Sequence, residues 1–219
     1  MSPITSAGID EYLTRTGVAI GNAREVPAIL AALEVYGYDD AVLRQGQDLL
    51  DAASALHSAQ RKEYAEQYGA TAAFNEGQAK ADRLYTQHRK IAGIAFKNDL
   101  TRMGTFELDQ AKKKSYSGWL TQARHFYTNL LADADAIAAL GRFRITQEQL
   151  EEGYALVEQT EALVKAQKKE TSEAQKATKD RDAALDELHE WMSEFKAIAK
   201  IALADDAQLL EALQFGAIP

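Results

Sequence analysis

The side chains best suited to acid–base or metal chemistry in this sequence are its four histidines, which are His57, His88, His125 and His189. Among helical proteins, a di-iron carboxylate site takes a Glu-x-x-His motif from each of two helices. The residues three places before the histidines are, in the same order, Ser54, Tyr85, Gln122 and Asp186. Because none of these is glutamate, and only Asp186 with His189 approaches the motif, we predict no metal site.

His88 has a functional and a structural interpretation. It lies among apolar residues at helical spacing, between Tyr85 and Ile91. In that position it would be either a buried acid–base group or axial ligand, or a core histidine whose ring nitrogens are satisfied. We favour a core histidine, or one at the edge of the apolar stripe, because the residue 107 positions later, in a matching stripe, is Phe195.

Other sequence motifs for catalysis or cofactor binding are also missing from this chain. There is no phosphate-binding loop, dinucleotide fingerprint, nucleophile elbow or metalloprotease motif. Cysteine is absent too, which excludes disulfides and thiolate ligands. The carboxylate pairs Glu151-Glu152 and Asp205-Asp206 are adjacent in sequence, so they point to different faces of a helix. We therefore predict no catalytic residues and no cofactor, and the sequence identifies no cofactor-binding residues.

The charge of the chain bears on its partners. With 25 basic and 33 acidic residues, the net charge is −8, which argues against binding a nucleic-acid backbone. Lys112–Lys114 is a local exception that we expect to be a solvated helix face rather than an anion site. No apolar run is long enough to span a membrane, and Met1–Asp10 lacks a signal-peptide pattern. We expect a soluble, cytoplasmic protein.

The elements that carry these residues are predicted to be helices throughout. Pro27 is the only proline away from the chain ends, and Ala, Leu, Glu, Gln and Lys, which all favour helix, are abundant. Alternating runs of β-branched residues are missing. The sequence therefore predicts an all-α protein.

The strongest pattern is an internal repeat with an offset of 107 residues and no gap. Under that offset Ala31-Ala32-Leu33 matches Ala138-Ala139-Leu140, and Ala59–Glu63 matches Ala166–Glu170. Self-similarity in one register indicates a duplicated helical unit. We predict two copies, residues 1–109 and 110–219, which pack together as one helical bundle. No histidine falls on another histidine under this offset.

Each copy is predicted to contain five helices, A to E. Helix A covers residues 8–22 in the first copy and 106–131 in the second, and helix B covers 27–36 and 134–142. Helix C begins after the capping residues Asp39 and Thr146, the latter in a capping box with Gln149. Helix D carries one apolar stripe in each copy, from Ala81 to Ala95 in the first and from Leu188 to Ala202 in the second. A short helix E follows Asp99 and Asp206.

The junction between helices C and D can be either a continuous helix or a turn. Residues 67–77 contain Gly69 and Gly77, and residues 174–183 are highly polar. One continuous helix of about 57 residues would span roughly 85 Å, so we favour a hairpin. Helices C and D of each copy would then pack antiparallel, with the polar tip in water.

The sequence alone does not identify a function, and two hypotheses remain. The first is a non-enzymatic scaffold that binds a protein partner or forms a homo-oligomer, as duplicated amphipathic helices without catalytic motifs suggest. The second is a bundle that binds a small molecule or cofactor between its helices, beside the stripes that contain Tyr85–His88 and Trp191–Phe195. Whether the protein is an enzyme stays undecided, although the missing motifs favour one that is not.

Overall fold

The computed structural model describes residues 6–215 and is all-α in that range, with eight helices and no strand. The predicted fold class is confirmed at this level. Residues 1–5, which belong to the segment inspected for a signal peptide, and residues 216–219 lie outside the described residues. Within residues 6–215, no helix has the length and apolar character that a bilayer span requires.

The eight helices form two series of four. They are α1 (Ser6–Glu25), α2 (Pro27–Glu34), α3 (Asp40–Ala95), α4 (Leu100–Thr105), α5 (Tyr116–Leu131), α6 (Ala134–Gly141), α7 (Gln147–Ala202) and α8 (Ala207–Ala212). The first and last residues of α2, α3 and α4 each differ from those of α6, α7 and α8 by 107 positions.

The predicted starts of the long helices are confirmed by their caps. The Thr146 hydroxyl accepts the Gln149 N–H at 3.3 Å, and the Gln149 side chain accepts the Thr146 N–H at 3.1 Å. This reciprocal pair satisfies two backbone donors that the first helical turn leaves without a partner. At the other start, Asp39 accepts the Val42 N–H at 2.9 Å.

The predicted hairpins at 67–77 and 174–183 are wrong. Both stretches are helical, so predicted helices C and D form one helix in each predicted copy, α3 and α7, of 56 residues each. At 1.5 Å per residue each is about 84 Å long. Gly77 serves a close contact instead of a turn, because a Cβ there would lie 2.4 Å from the Leu163 side chain.

In these stretches α3 packs against α7, whereas a hairpin would have packed predicted helix C against helix D of the same copy. Gln167 donates to the Thr71 hydroxyl at 3.4 Å, four residues along α7 from Leu163 and six before Gly77 on α3. Residue number therefore rises on α3 as it falls on α7, so the two helices run antiparallel there. The antiparallel partner of α3 at these contacts is therefore α7, which the sequence analysis assigned to the other predicted copy.

The second copy of helix A is shorter than predicted. Residues 106–115 are not helical, and α5 begins at Tyr116 after the N-cap Ser115, whose hydroxyl accepts the Gly118 N–H. The Lys112–Lys114 segment is therefore not a helix face. Lys112 Nζ binds both oxygens of Asp82, at 2.8 and 2.9 Å, so this lysine is an ion-pair partner within the chain.

The chain divides into two compact units. Unit 1 contains residues 1–64 and 173–219, and unit 2 contains residues 65–172. Each has its own apolar core. That of unit 1 includes Ile20, Ile29, Leu33, Leu43, Phe195 and Leu213. That of unit 2 includes Tyr85, Phe126, Tyr127, Leu130, Leu140 and Leu150. Both units draw helices from both predicted copies, because α3 and α7 each contribute one part to unit 1 and the other to unit 2.

Candidate functional site

His88 lies in the core of unit 2, where it is bonded to a tyrosine. Only 2% of its surface is exposed, and its Nδ1 lies 3.0 Å from the hydroxyl of Tyr127 on α5. The tyrosine hydroxyl reaches this position because residue 153 on α7 is glycine: a Cβ there would lie 2.3 Å from it. α3, α5 and α7 together therefore position the pair.

Both members of this pair favour their neutral forms. Burial lowers the pKa of His88, against a smaller opposing effect from the charge of Glu152. Burial also raises the pKa of Tyr127, and the nearby Tyr85 raises it further. Because charging either ring would place an uncompensated charge in the core, the pair is a neutral hydrogen bond that holds α3 to α5. Its geometry is that of the core histidine favoured from the sequence.

His57 forms the second buried histidine contact, in unit 1. Its Nε2 lies 3.1 Å from a carboxylate oxygen of Asp10 on α1, and the other oxygen lies 3.8 Å from Arg61. The residue is 3% exposed, and within residues 6–215 its Nδ1 has no hydrogen-bond partner. A carboxylate that fixes a histidine also occurs in catalytic dyads. Here, however, the nitrogen that would act on a substrate is enclosed, and the pair joins α1 to α3.

The other two histidines lie apart from these. His125 Nε2 is 3.0 Å from the carbonyl oxygen of Thr105, at the end of α4. The ring of His189 lies 6.4 Å from that of Tyr12. Across residues 6–215, none of the four histidines belongs to a group of three or more potential metal ligands.

The apolar stripes that motivated a ligand between the helices are occupied by packing. In unit 1 the ring of Trp191 stacks on Phe195, with centroids 5.1 Å apart, and lies over Gly46, where a Cβ would be 2.3 Å from it. In unit 2 the ring of Tyr85 meets that of Phe126 edge-on at 5.6 Å. These aromatic residues therefore pack against one another and against Gly46 within the two cores.

A cleft that the sequence did not predict lies at the surface of unit 1. It is open to solvent and has a volume of about 590 Å³. Arg15 of α1 and Lys196 and Lys200 of α7 provide cationic walls, while Leu210 and Phe215 provide apolar ones. The i,i+4 spacing of the two lysines places them on one face of α7. That spacing was the signal available in the sequence, but Arg15 and Phe215 are remote from it along the chain.

The partners of the three cations differ. Arg15 is paired with Glu11 at 2.5 Å, an exposed contact within one helix. The ammonium of Lys196 lies 5.8 Å from the centre of the Phe215 ring. Lys200 has no ion-pair or hydrogen-bond partner among the residues that the structure describes. Among the described residues that line the cleft, Glu211 is the one carboxylate, so the cations among them outnumber the anions.

The chain matches no protein-family model, no curated protein and no solved structure.

Proposed function

We propose that this protein is a non-catalytic helical scaffold that binds another protein or a second copy of itself. One observation carries the proposal. Ile94, in the last turn of α3, is 60% exposed, and Ile201, in the last turn of α7, is 56% exposed. The two residues lie 107 positions apart, so each copy presents the same large apolar side chain to solvent at the same place.

Recurrence distinguishes these isoleucines from the scattered apolar residues of any protein surface. A single exposed isoleucine needs no explanation. Two at equivalent positions do, because packing inside the chain accounts for neither, and burying each side chain in an interface would be favourable by about 1.5–3 kcal/mol. Leu100, which begins α4 and is 86% exposed, lies six residues after Ile94.

The proposal includes the duplication itself, with copies at 1–109 and 110–219. Helix bounds that repeat at an offset of 107 support it, and so does the backbone between the helices. Gly37 and Arg144 both have positive φ, at 83° and 61°, as do Glu107 and Gln214, at 51° and 46°. Both pairs are separated by 107 positions. A non-glycine residue rarely adopts this conformation, so its repetition supports a common origin.

We further expect a cytoplasmic location, no bound cofactor and no nucleic-acid partner. The net charge of −8 supports the last of these, because a phosphate backbone attracts basic surfaces. The absence of catalysis is supported by the partners of the buried histidines, since His88 and His57 each hold two helices together.

Sedimentation velocity and co-purification from the native host test the scaffold proposal. We expect a homo-oligomer or a stable partner complex that the double variant Ile94→Glu/Ile201→Glu loses. Ala52→Glu/Ala79→Glu is the control, because both alanines are exposed on α3 and the charge change is the same. A chain that stays monomeric at about 100 μM and captures no partner, or an assembly that both variants retain equally, would refute the proposal.

A second function, binding a small molecule, is favoured by the cleft in unit 1. Its volume of about 590 Å³ falls in the range of about 300–1,000 Å³ that is usual for small-molecule sites. Native mass spectrometry of protein purified from its own host tests this function, with a bound mass of a few hundred daltons as the expected result. Protein that is consistently empty and binds none of a broad panel of small molecules would contradict it.

A further inference from the structure

We propose that the cleft in unit 1 binds a small organic anion with an apolar body, such as the carboxylate of a medium-chain fatty acid. This inference rests on the second proposed function and names the chemical class of its ligand. The walls of the cleft supply both parts of the recognition, with cations from α1 and α7 and apolar side chains from α8 and the residues that follow it.

The size and lining of the cleft select a ligand larger than an inorganic ion. A volume of about 590 Å³ greatly exceeds that of a phosphate or acetate ion and accommodates a chain of eight to twelve carbons. Leu210 and Phe215 are both partly buried and offer an apolar surface to that chain. The methylene stems of Lys196 and Lys200 extend this surface, since lysine stems lie along apolar groups while their ammonium groups stay in water.

The charges of the cleft select an anionic head group. Lys200 is the ammonium without a partner among the described residues, and Lys196 lies one turn before it on the same face of α7. Arg15 adds a guanidinium that already shares its charge with Glu11. In a chain with a net charge of −8, this concentration of cations makes the cleft a local site for an anion.

The equivalent positions in unit 2 show that the fold does not require these cations. Under the offset of 107, Arg15 corresponds to Gln122 and Lys200 to Gly93. Gln122 is buried, and its side chain bonds the backbone of Ala111 and Lys113. Two of the three cations therefore occur in one unit only, as expected for a binding site added to a shared architecture.

Calorimetric titration with decanoate, 1-decanol and acetate at low ionic strength tests the inference. We expect decanoate to bind with a dissociation constant below about 1 mM, and the other two to bind at least about tenfold more weakly. The alcohol lacks the charge and acetate lacks the chain, so either one matching decanoate would overturn the inference. So would the absence of decanoate binding, or binding to vesicles of phosphatidylglycerol without binding to free decanoate.

Variants then place the ligand in the cleft. Lys200→Gln should weaken decanoate binding about fivefold, the effect of one exposed ion pair, and Phe215→Ala should weaken it similarly. Lys179→Gln is the matched control. This exposed lysine lies on the same helix 21 residues earlier, about 31 Å away along the axis. Equal affinities in Lys200→Gln and Lys179→Gln would overturn the assignment. If decanoate does not bind while a neutral compound co-purifies with the protein, the inference of an anionic ligand is wrong. The second proposed function, binding a small molecule, then still holds.

Discussion

At the scale of single residues, the two rings of the His88–Tyr127 pair are joined by a hydrogen bond in the dry core of unit 2. The hydroxyl of Tyr85, on the same side of α3, is equally buried but has no hydrogen-bond partner in the part of the chain that the structure describes. Burial raises the pKa of Tyr85 to about 12, so this hydroxyl stays neutral at physiological pH. The two tyrosines therefore differ chiefly in whether their hydroxyl is bonded.

Replacing these tyrosines separates the hydrogen bond from the packing. Tyr127→Phe should lower the free energy of unfolding by about 1–3 kcal/mol, because it leaves the buried Nδ1 of His88 without a partner. Tyr85→Phe, the matched control, removes a buried hydroxyl that has no hydrogen-bond partner among the described residues, so it should leave the stability unchanged or raise it. Urea denaturation measures both, and equal losses would contradict the assigned bond.

The pKa of His88 predicts how stability depends on pH. Burial lowers the pKa of His88 in the folded protein. As the pH falls through about 6.5, His88 therefore binds a proton in the unfolded chain but stays neutral in the folded one. The stability due to neutral His88 is therefore complete above about pH 6.5 and declines as the pH falls toward the folded-state pKa. His88→Phe, which copies Phe195 at the equivalent position, lacks this loss.

The measurement is the difference in unfolding free energy between His88→Phe and the wild type at pH 7.5 and pH 5. We expect the unfolding free energy of the variant to rise relative to that of the wild type when the pH is lowered from 7.5 to 5. A difference that stays constant, or that shifts in favour of the wild type, would show that His88 is not held neutral by burial.

At the scale of helices, the sequence predicted the helix caps, which depend on neighbouring residues. It did not predict the continuity of α3 or the cleft, which depend on residues far apart in the chain. The caps at Asp39 and Thr146 were predictable because their partners lie within three residues. The continuity of α3 was not, because the contact that gives Gly77 its role comes from Leu163 of α7. The cleft was missed for the same reason, since Arg15 and Lys200 line one cleft only in the folded chain.

Substitutions in residues 67–77 distinguish a continuous helix from a turn. Gly69 is helical and exposed, and a Cβ there would meet nothing within 4 Å, so Gly69→Ala should stabilise the protein by about 0.5–1 kcal/mol. Ala72→Pro should destabilise it by about 3 kcal/mol or more, because proline breaks a helix interior. Thermal and urea unfolding measure both. A tolerated proline with a destabilising alanine would indicate the hairpin instead.

At the scale of the whole molecule, the predicted copies and the compact units divide the chain differently. The cut at residue 109 that separates the copies also divides both cores. Residues 1–109 keep Ile20 and Leu43 of one core but lack Phe195, and keep Tyr85 of the other but lack Tyr127. The described core of unit 2, in contrast, falls within one continuous stretch, residues 65–172.

Unfolding of three fragments tests this organisation most directly. Far-UV circular dichroism should show a cooperative urea transition for residues 65–172, because that fragment contains one entire core. Residues 1–109 and 110–219, studied separately as monomers, should show weak helicity and no cooperative transition, because each exposes the apolar surface that the other half covers. The account is contradicted if both halves unfold cooperatively with undiminished stability while residues 65–172 remain unfolded.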